Sequence, residues 1–244
     1  PIVLAVRKIA PALAAGCPVL LKPASATPLS AVIMAEAIHE ANLPAGVFQL
    51  LAGRASEIGA ELMENPACRK ITFTGSTEVG RELIRQSADQ VKELSMELGG
   101  HAPLVIFDDA DLDKAVEGAL ITKFRNAGQS CIASNRIYVQ RGIYDAFLES
   151  FVEKASRMKV GDGLEDGVDI GPLIDQATAD TARTHIDAAV KSGARLLCGG
   201  KNPEGLGSNF LEATVLADVS EDTLCMNEET FAPVAPVAVF DDED

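Results

Sequence analysis

The sequence is poor in aromatic residues and in the side-chain clusters that bind metals. It contains no tryptophan, two tyrosines and three histidines, and aromatic residues make up 5% of it. No Cys-x-x-Cys pair or histidine cluster has the spacing of a zinc site, so we predict no metal. No apolar run approaches the roughly 20 residues that a membrane-spanning helix needs, so we expect no membrane partner.

The cysteines are few and widely spaced. There are five of them, an odd number without short spacings, which argues against a disulfide framework. We therefore expect a reducing compartment and a cytoplasmic location. Cys17, Cys68 and Cys198 have apolar or helical neighbours and are interpreted as buried core residues.

Basic side chains are also scarce relative to acidic ones. The chain has 21 Lys and Arg against 36 Asp and Glu, a net charge of −15. This balance argues against nucleic acid as a partner. A field of this sign repels anions at long range, so an anionic substrate would need local arginines.

Apolar strand-like and helical segments alternate along the chain. Strands are predicted in "CPVLLKP", "GVFQLLAG", "KITFTGS" and "KELSMELGG", with helices between them. Thr27 and Ser56 are candidate caps of two of these helices. The pattern begins again after Gly100. The alternation predicts an α/β fold, a parallel Rossmann-like sheet followed by a second α/β domain, divided as 1–99 and 100–244.

One cysteine has unusual neighbours. The segment "NAGQSCIASN" places Cys131 among small and amide-bearing residues, close after Gly128. A thiol attacks only as the thiolate, which requires polar or electropositive surroundings, and Lys123 and Arg125 lie just upstream. The alternative is an ordinary core cysteine, and the spacing alone favours that alternative.

Two predicted strand ends carry further candidates. Glu97 precedes "LGG" and is either a general base in a cleft or a surface carboxylate at a turn. In "FTGSTEVG", Gly75 and Ser76 lie between a strand and a helix, where backbone N–H groups can bind an anion. This segment has neither the Walker sequence nor Gly-x-Gly-x-x-Gly, so alone it is a weak nucleotide signal.

Taken together, these motifs are far more specific. "MELGG", "GQSC" and "NEETFAP" occur in this order, after "LAAGCPVLLKPAS" and "FTGSTEVG". Over essentially its whole length the chain closely resembles the aldehyde dehydrogenase superfamily. Through "FDDADLDKAVEGAL", "KFRNAGQSC" and "GDGLEDGVDIGPLID" it is most similar to the succinate-semialdehyde dehydrogenase branch.

The resemblance implies a reaction and roles for four residues. The thiolate of Cys131 attacks an aldehyde, hydride passes to NAD or NADP, and Glu97 activates the water that hydrolyses the thioester. This is covalent catalysis, which splits a difficult oxidation into easier steps. Arg7 and Arg125 match arginines that hold the carboxylate of succinate semialdehyde.

The resemblance also implies a cofactor site. The matching positions lie mainly at strand ends and at helix starts: Lys22, Ser25, Phe73, Gly75, Ser76, Val79, Leu98, Glu229 and Phe231. Lys22 and Glu229 match residues that bind the two riboses, and Phe231 matches a residue near the nicotinamide ring. Ala232 departs from the family, which usually has glycine there.

Other interpretations remain open at this point. The substrate can be another aldehyde, such as glutarate semialdehyde. The protein can also be a non-catalytic relative or a nucleotide-binding fragment. Pro1 is all that remains of the family's Trp-Asn-Phe-Pro segment, and the family's C-terminal part is absent. We therefore expect an inactive, self-associating fragment of a homodimeric or homotetrameric enzyme.

The residue at position 25 predicts the cofactor preference. Relatives restricted to NAD commonly have glutamate there, and its carboxylate would repel a 2′-phosphate; this chain has Ser25. We expect the whole protein to use NADP, and Ser25→Glu to shift its preference toward NAD. Measuring kcat/KM with both cofactors tests this, and a wild-type protein without NADP activity would contradict it.

Overall fold

The computed structural model describes residues 2–243, so Pro1 and Asp244 lie outside the described part. The described residues form two compact units, 2–99 and 100–243. The fold class predicted from the sequence, α/β with mostly parallel strands, is confirmed. The roles assigned above to the two parts stay predictions.

The first unit alternates helices and short strands. Its elements are α1 (Ile2–Ala14), β1 (Val19–Leu21), α2 (Leu29–Glu40), β2 (Phe48–Leu50), α3 (Ala55–Glu64), β3 (Lys70–Thr74), α4 (Thr77–Ser87) and β4 (Glu93–Glu97). β1 pairs with β2, and β3 pairs with β4, each pair parallel. Within the described residues these are two separate two-stranded sheets, not one continuous sheet.

The second unit contains a larger sheet. Its elements are β5 (Ala102–Ile106), α5 (Leu112–Phe124), β6 (Ser134–Gln140), α6 (Arg141–Ser156), α7 (Gln176–Lys191), β7 (Arg195–Cys198), β8 (Thr214–Ala217), α8 (Leu224–Asn227) and β9 (Val234–Phe240). The five strands have the order β5-β6-β9-β8-β7. All neighbours are parallel except β7, which is an antiparallel edge strand.

The main hydrophobic core lies in the second unit. Its buried apolar residues belong to the sheet and to the helices packed on it, chiefly α5, α6 and α7. Phe124 ends α5 and stacks on Phe151 of α6 with ring centroids 5.8 Å apart, and Phe151 stacks on Phe147 at 5.2 Å. Aromatic pairs in this geometry add to the energy of burial. They fix the end of α5, from which the cysteine loop departs.

Two of the predicted helix caps are wrong. Pro28, not Thr27, is the N-cap of α2, and no side chain caps this end. Arg54 is the N-cap of α3, so Ser56 lies inside the first turn. Proline already has the dihedral angle that a helix start requires, so α2 can begin without a hydroxyl cap.

The predicted burial of three cysteines is also not as expected. Cys17 is exposed in the connection between α1 and β1, and Cys68 and Cys198 are only half-buried. The fully buried cysteine is Cys225, at the start of α8. Apolar neighbours in sequence did not indicate burial because these cysteines lie at turns and strand ends.

Candidate active site

In the first unit, the candidate residues lie at the carboxyl ends of parallel strands. Lys22 follows β1, Gly75 follows β3, and Glu97 is the last residue of β4. Thr74 pairs with Glu97 in the strand register, and the N–H of Gly75 donates to the carbonyl of Glu97 over 3.1 Å. Ligands of open parallel sheets bind at this end of the strands.

Side chains pack closely against the backbone of the turn after β3. Ser76 is the N-cap of α4, and its Oγ accepts from the N–H of Val79 over 3.3 Å. A Cβ at Gly75 would overlap the ring of Phe73, and one at Gly80 would overlap Leu98. These glycines therefore let the predicted residues Phe73 and Leu98 pack directly on the backbone around the start of α4.

Lys22 and Ser25 lie together. The Nζ of Lys22 donates to the Oγ of Ser25 over 3.3 Å. Ser25 is exposed and carries no charge. The two residues that the sequence assigned to the adenosine ribose therefore share one small polar site.

Lys8 is a residue that the sequence analysis missed. Its Nζ donates to Thr74 Oγ1 over 2.5 Å, which places it beside the end of β3. Burial lowers the pKa of Lys8, while the nearby carboxylate of Glu97 acts in the opposite direction. Lys8 was missed because it lies on α1, a helix that the sequence pattern did not predict.

In the second unit, the candidates gather at the opposite ends of the strands. Gly100 lies just before β5, Cys131 just before β6, and Glu229 and Phe231 just before β9. Since these three strands are parallel neighbours, their amino ends meet at one edge of the sheet. A shallow cavity lined by Val105, Phe107, Tyr138 and Phe240 lies at the other end of the same strands.

The backbone before Cys131 is strained. Asn126 (φ 56°, ψ 35°) and Ala127 (φ 55°, ψ 33°) are left-handed, and Gly128 follows with φ 71°. Such residues, apart from glycine, cost of order 1 kcal/mol or more each and persist only where their surroundings fix them. Reversed winding over three residues brings the chain sharply from α5 to Cys131.

Amide side chains hold this strained loop. Asn126 Nδ2 donates to the Gln129 carbonyl over 2.8 Å, and Gln129 Nε2 donates back to the Asn126 carbonyl over 3.2 Å. Gln129 Oε1 also accepts from the N–H of Ile174 over 2.8 Å. The amide residues of "NAGQSC" therefore fix the loop, and the side-chain N–H of Asn126 is used in a hydrogen bond within it.

Two glycines permit the loop to pack backbone against backbone. A Cβ at Gly128 would overlap the carbonyl of Ala232, and a Cβ at Gly100 would overlap the carbonyl of Cys131. Ala232 itself is fully buried. The alanine that replaces the family's usual glycine therefore fits this packing. Cys131 is held between two other segments of the second unit and stays half-exposed.

The two basic residues that precede Cys131 in sequence, Lys123 and Arg125, differ in burial. Arg125 is exposed, as an anion-binding residue should be. Lys123 is completely buried, and its Nζ donates to Asn135 Oδ1 over 2.7 Å. The expectation that Lys123 contributes to an electropositive setting for the thiol is not supported by its contacts.

Glu229 is fixed by the backbone beside Cys131. Its Oε1 accepts from the N–H of Gly100 over 3.3 Å. Burial raises the pKa of Glu229, while the Gly100 N–H and the charge of Lys123 act against this rise. Phe231, two residues on, has a left-handed backbone (φ 49°).

A buried histidine supports the same segment and was also missed. His185 of α7 has its Nδ1 3.0 Å from Thr230 Oγ1, and its Nε2 3.6 Å from Glu228 Oε2. Burial lowers the pKa of His185. Both contact residues, Glu228 and Thr230, belong to the "NEETFAP" motif, so His185 links α7 to that motif.

Comparisons with known proteins identify the family. Residues 1–244 match the model of the aldehyde dehydrogenase family. The chain belongs to the aldehyde dehydrogenase family. The glycine contacts, the amide-held loop and the hydrogen bond between Gly100 and Glu229 are features of this chain.

Similar proteins include semialdehyde dehydrogenases. The chain is 53% identical over 243 residues to the NADP(+) succinate-semialdehyde dehydrogenase of Escherichia coli K12, covering 100% of this chain and 50% of that protein. It is 51% identical to glutarate-semialdehyde dehydrogenase of Pseudomonas aeruginosa, with the same coverage. The chain thus spans about half the length of these curated relatives.

Solved structures agree in fold. An NADP-dependent enzyme of E. coli superposes with a TM-score of 0.97 at 53% identity, covering 100% of this chain and 50% of the other. Succinate-semialdehyde dehydrogenase of Burkholderia pseudomallei superposes with a TM-score of 0.95 at 49% identity, covering 97% and 49%.

Two further structural findings concern other kinds of site. Among residues 2–243, no group of three or more His, Cys, Asp or Glu side chains is placed to hold a metal ion. Over the same residues, no helix has the length and apolarity to cross a membrane.

The glycine contact at the cysteine loop yields a stability prediction. We expect Gly128→Ala to destabilise the protein by about 2 kcal/mol or more, because it adds a left-handed alanine and a clash with the Ala232 carbonyl. Denaturant unfolding measures the change. Gly118→Ala is the matched control: a Cβ there meets no atom within 4 Å inside α5, so it should be neutral or stabilising. Equal stability of both variants would contradict the role of Gly128.

Proposed function

We propose that the protein oxidises a small carboxylate-bearing aldehyde to the acid with NADP or NAD, with Cys131 as the nucleophile. The observation that carries the proposal is the strained, amide-held loop that presents the half-exposed Cys131 in a chain of the aldehyde dehydrogenase family. Succinate semialdehyde is the proposed substrate, supported by the identity of 53% to a dehydrogenase of that compound.

The proposed mechanism uses one thiol and one carboxylate. The Cys131 thiolate adds to the aldehyde carbon, giving a thiohemiacetal whose alkoxide oxygen requires hydrogen-bond donors. Loss of hydride converts this adduct to a thioester. Glu97 takes a proton from water, the water attacks the thioester carbon, and the acid leaves as the thiolate is regenerated. The carboxylate of Glu97 acts to raise the pKa of Lys8, against the larger effect of burial.

We propose that the residues matching the family's cofactor site bind a nicotinamide cofactor. When bound, it accepts the hydride. We propose that Gly75, Ser76 and Val79 hold its pyrophosphate at the start of α4, with Phe73 and Leu98 packed around that turn. Lys22 and Ser25 would bind the adenosine ribose. Glu229 would accept hydrogen bonds from the nicotinamide ribose, with Phe231 near the ring. The contact between Lys22 and Ser25 and the absence of a carboxylate at position 25 support NADP.

Two arginines are available for the substrate carboxylate. Arg7 and Arg125 are both exposed, and within residues 2–243 neither makes an ion pair. This disfavours the alternative that Arg125 merely neutralises a surface acid. A guanidinium binds a carboxylate through two parallel hydrogen bonds, so each can supply charge and orientation.

A second substrate is the main alternative. Relatives from Pseudomonas that act on glutarate semialdehyde share 51% identity with this chain. That compound has one more methylene, which a binding pocket distinguishes by only about 1–3 kcal/mol. A panel of the two semialdehydes and a neutral aldehyde, assayed on the whole protein, separates these proposals.

We further propose a homodimeric or homotetrameric assembly in a reducing, cytoplasmic environment, consistent with five unpaired cysteines.

The nucleophile is tested first. Cys131→Ala should abolish aldehyde oxidation while leaving NADP binding intact, because the thiol forms the covalent intermediates. Glu97→Gln should retain a first-turnover burst of NADPH but slow the steady state, because thioester hydrolysis loses its base. Cys17→Ala, which removes an exposed cysteine outside the site, is the control. Undiminished turnover by Cys131→Ala would refute the proposal.

The substrate class is tested at Arg125. Arg125→Ala should raise KM for succinate semialdehyde by roughly 10- to 100-fold, the usual worth of a charge-assisted hydrogen bond, and leave KM for butanal nearly unchanged. Arg157→Ala serves as control because Arg157 pairs with Glu153 on the surface of α6. Equal effects of Arg125→Ala on both aldehydes would exclude a carboxylate-binding role.

A further inference from the structure

Lys123 is the one lysine of the described residues whose side chain is fully buried without an ion-pair partner. It lies in the last turn of α5, and its Nζ donates to Asn135 Oδ1 over 2.7 Å. Lysine is almost never fully buried unless its charge is paired. An apolar side chain of similar length would pack here more easily, so the position calls for a reason to keep an amine.

Asn135 passes this hydrogen bond on to the site. Its Nδ2 donates to the carbonyl of Gly100 over 3.3 Å. The N–H of the same Gly100 donates to Glu229 Oε1, also over 3.3 Å. Lys123, Asn135, Gly100 and Glu229 therefore form one continuous chain of hydrogen bonds from the core of the second unit to a proposed cofactor residue.

Gly100 also touches the cysteine loop. It has no side chain, and the space a Cβ would fill is taken by the carbonyl of Cys131. A shift of the Gly100 peptide would therefore move both the Glu229 carboxylate and the backbone that carries the nucleophile. Asn135 holds the carbonyl of Gly100, in the peptide group that follows the one whose N–H binds Glu229. Lys123 fixes the orientation of the Asn135 amide.

We propose that Lys123 is a positioning residue, which acts through Asn135 and Gly100 to orient the Glu229 carboxylate toward the nicotinamide ribose. This inference rests on the proposed function, since it assumes that Glu229 binds the cofactor. Neither Lys123 nor Asn135 touches the cofactor or the reacting atoms in this proposal.

The electrostatic surroundings agree with such a role. Burial lowers the pKa of Lys123 to about 7, and Cys225 and then Glu229 act against this lowering. His101 is a further titratable neighbour, whose pKa is lowered by burial first and then by the charges of Arg136, Lys123 and His185. Lys123 in turn favours the ionised form of Glu229. Its amine remains a donor to Asn135 in either protonation state.

The test measures cofactor binding without turnover. Calorimetric titration of NADP is carried out on the whole protein, as wild type, Lys123→Met, Asn135→Asp and Lys114→Met. Lys123→Met should raise the Kd for NADP about 10-fold, the cost of one misplaced hydrogen-bonding group. Lys114, exposed on the same helix α5, is the matched lysine-to-methionine control and should leave the Kd unchanged.

Asn135→Asp tests the same chain of hydrogen bonds at a second position, and the unfolding midpoint tests for a folding defect. An aspartate keeps an acceptor for Lys123 but removes the N–H that binds the Gly100 carbonyl, so its Kd should also rise. The thermal unfolding midpoint of cofactor-free Lys123→Met should not fall, because a buried charge has been removed. The acid limb of NADP binding, the pH range in which affinity falls as the solution is acidified, should move to higher pH in Lys123→Met. Without the charge of Lys123, the pKa of Glu229 rises further, so its carboxylate is protonated at a higher pH.

The outcomes separate this inference from the proposed function. A wild-type protein that binds neither NADP nor NAD would overturn both. A wild type that binds cofactor and oxidises aldehyde, with Lys123→Met and Asn135→Asp binding equally well, would overturn only the role of Lys123. A rise in Kd seen only together with a lowered unfolding midpoint, and without the shift of the acid limb, would show a merely structural lysine and would also overturn it.

Discussion

The structure of the second unit depends on backbone-to-backbone packing at Gly100 and Gly128. Each has the carbonyl of another segment where a side chain would be, Cys131 in the first case and Ala232 in the second. Three chain segments that precede β5, β6 and β9 are thereby brought into direct contact. A larger residue at Gly100 would push the Cys131 segment away from the backbone that binds Glu229, and one at Gly128 would push the cysteine loop away from Ala232.

This packing also explains why the loop before Cys131 tolerates strain. Asn126 and Ala127 adopt left-handed conformations that isolated residues rarely occupy. The reciprocal amide bonds of Asn126 and Gln129, and the further bond from Ile174, fix these conformations. Strain stored in this way persists because the surrounding contacts over-determine the backbone. The proposed nucleophile, Cys131, would therefore need little reorganisation to react.

Sequence patterns predicted the fold class and most elements, because periodic apolar residues and glycine turns are local signals. Gly75 and Glu97 were predicted at strand ends, and they lie directly after β3 and at the last position of β4. The α1 helix, the strands β8 and β9 and the antiparallel pairing of β7 were not predicted. Their sequence signals are weak. Pro11, a residue that disfavours helix interiors, lies within α1, and β8 is a short, wholly buried strand without alternation of apolar and polar residues. Thr27 and Ser56 are not caps because α2 begins after Pro28 and α3 begins after the extended residue Arg54.

The site shows a sharper limit of sequence reasoning. Motif order indicated Cys131, Glu97 and Glu229, but could not show that Lys123 turns away from the thiol into the core. The direction of a side chain on α5 depends on tertiary packing, here on the stacked rings of Phe124 and Phe151 that fix the end of the helix. Because Phe124 is buried beside it, Lys123 faces Asn135, while Arg125, one residue beyond, remains at the surface. Three adjacent residues of one motif therefore have three environments. Lys123 is an internal hydrogen-bond donor, Phe124 is a core residue, and Arg125 is an exposed cation for which we propose an anionic substrate.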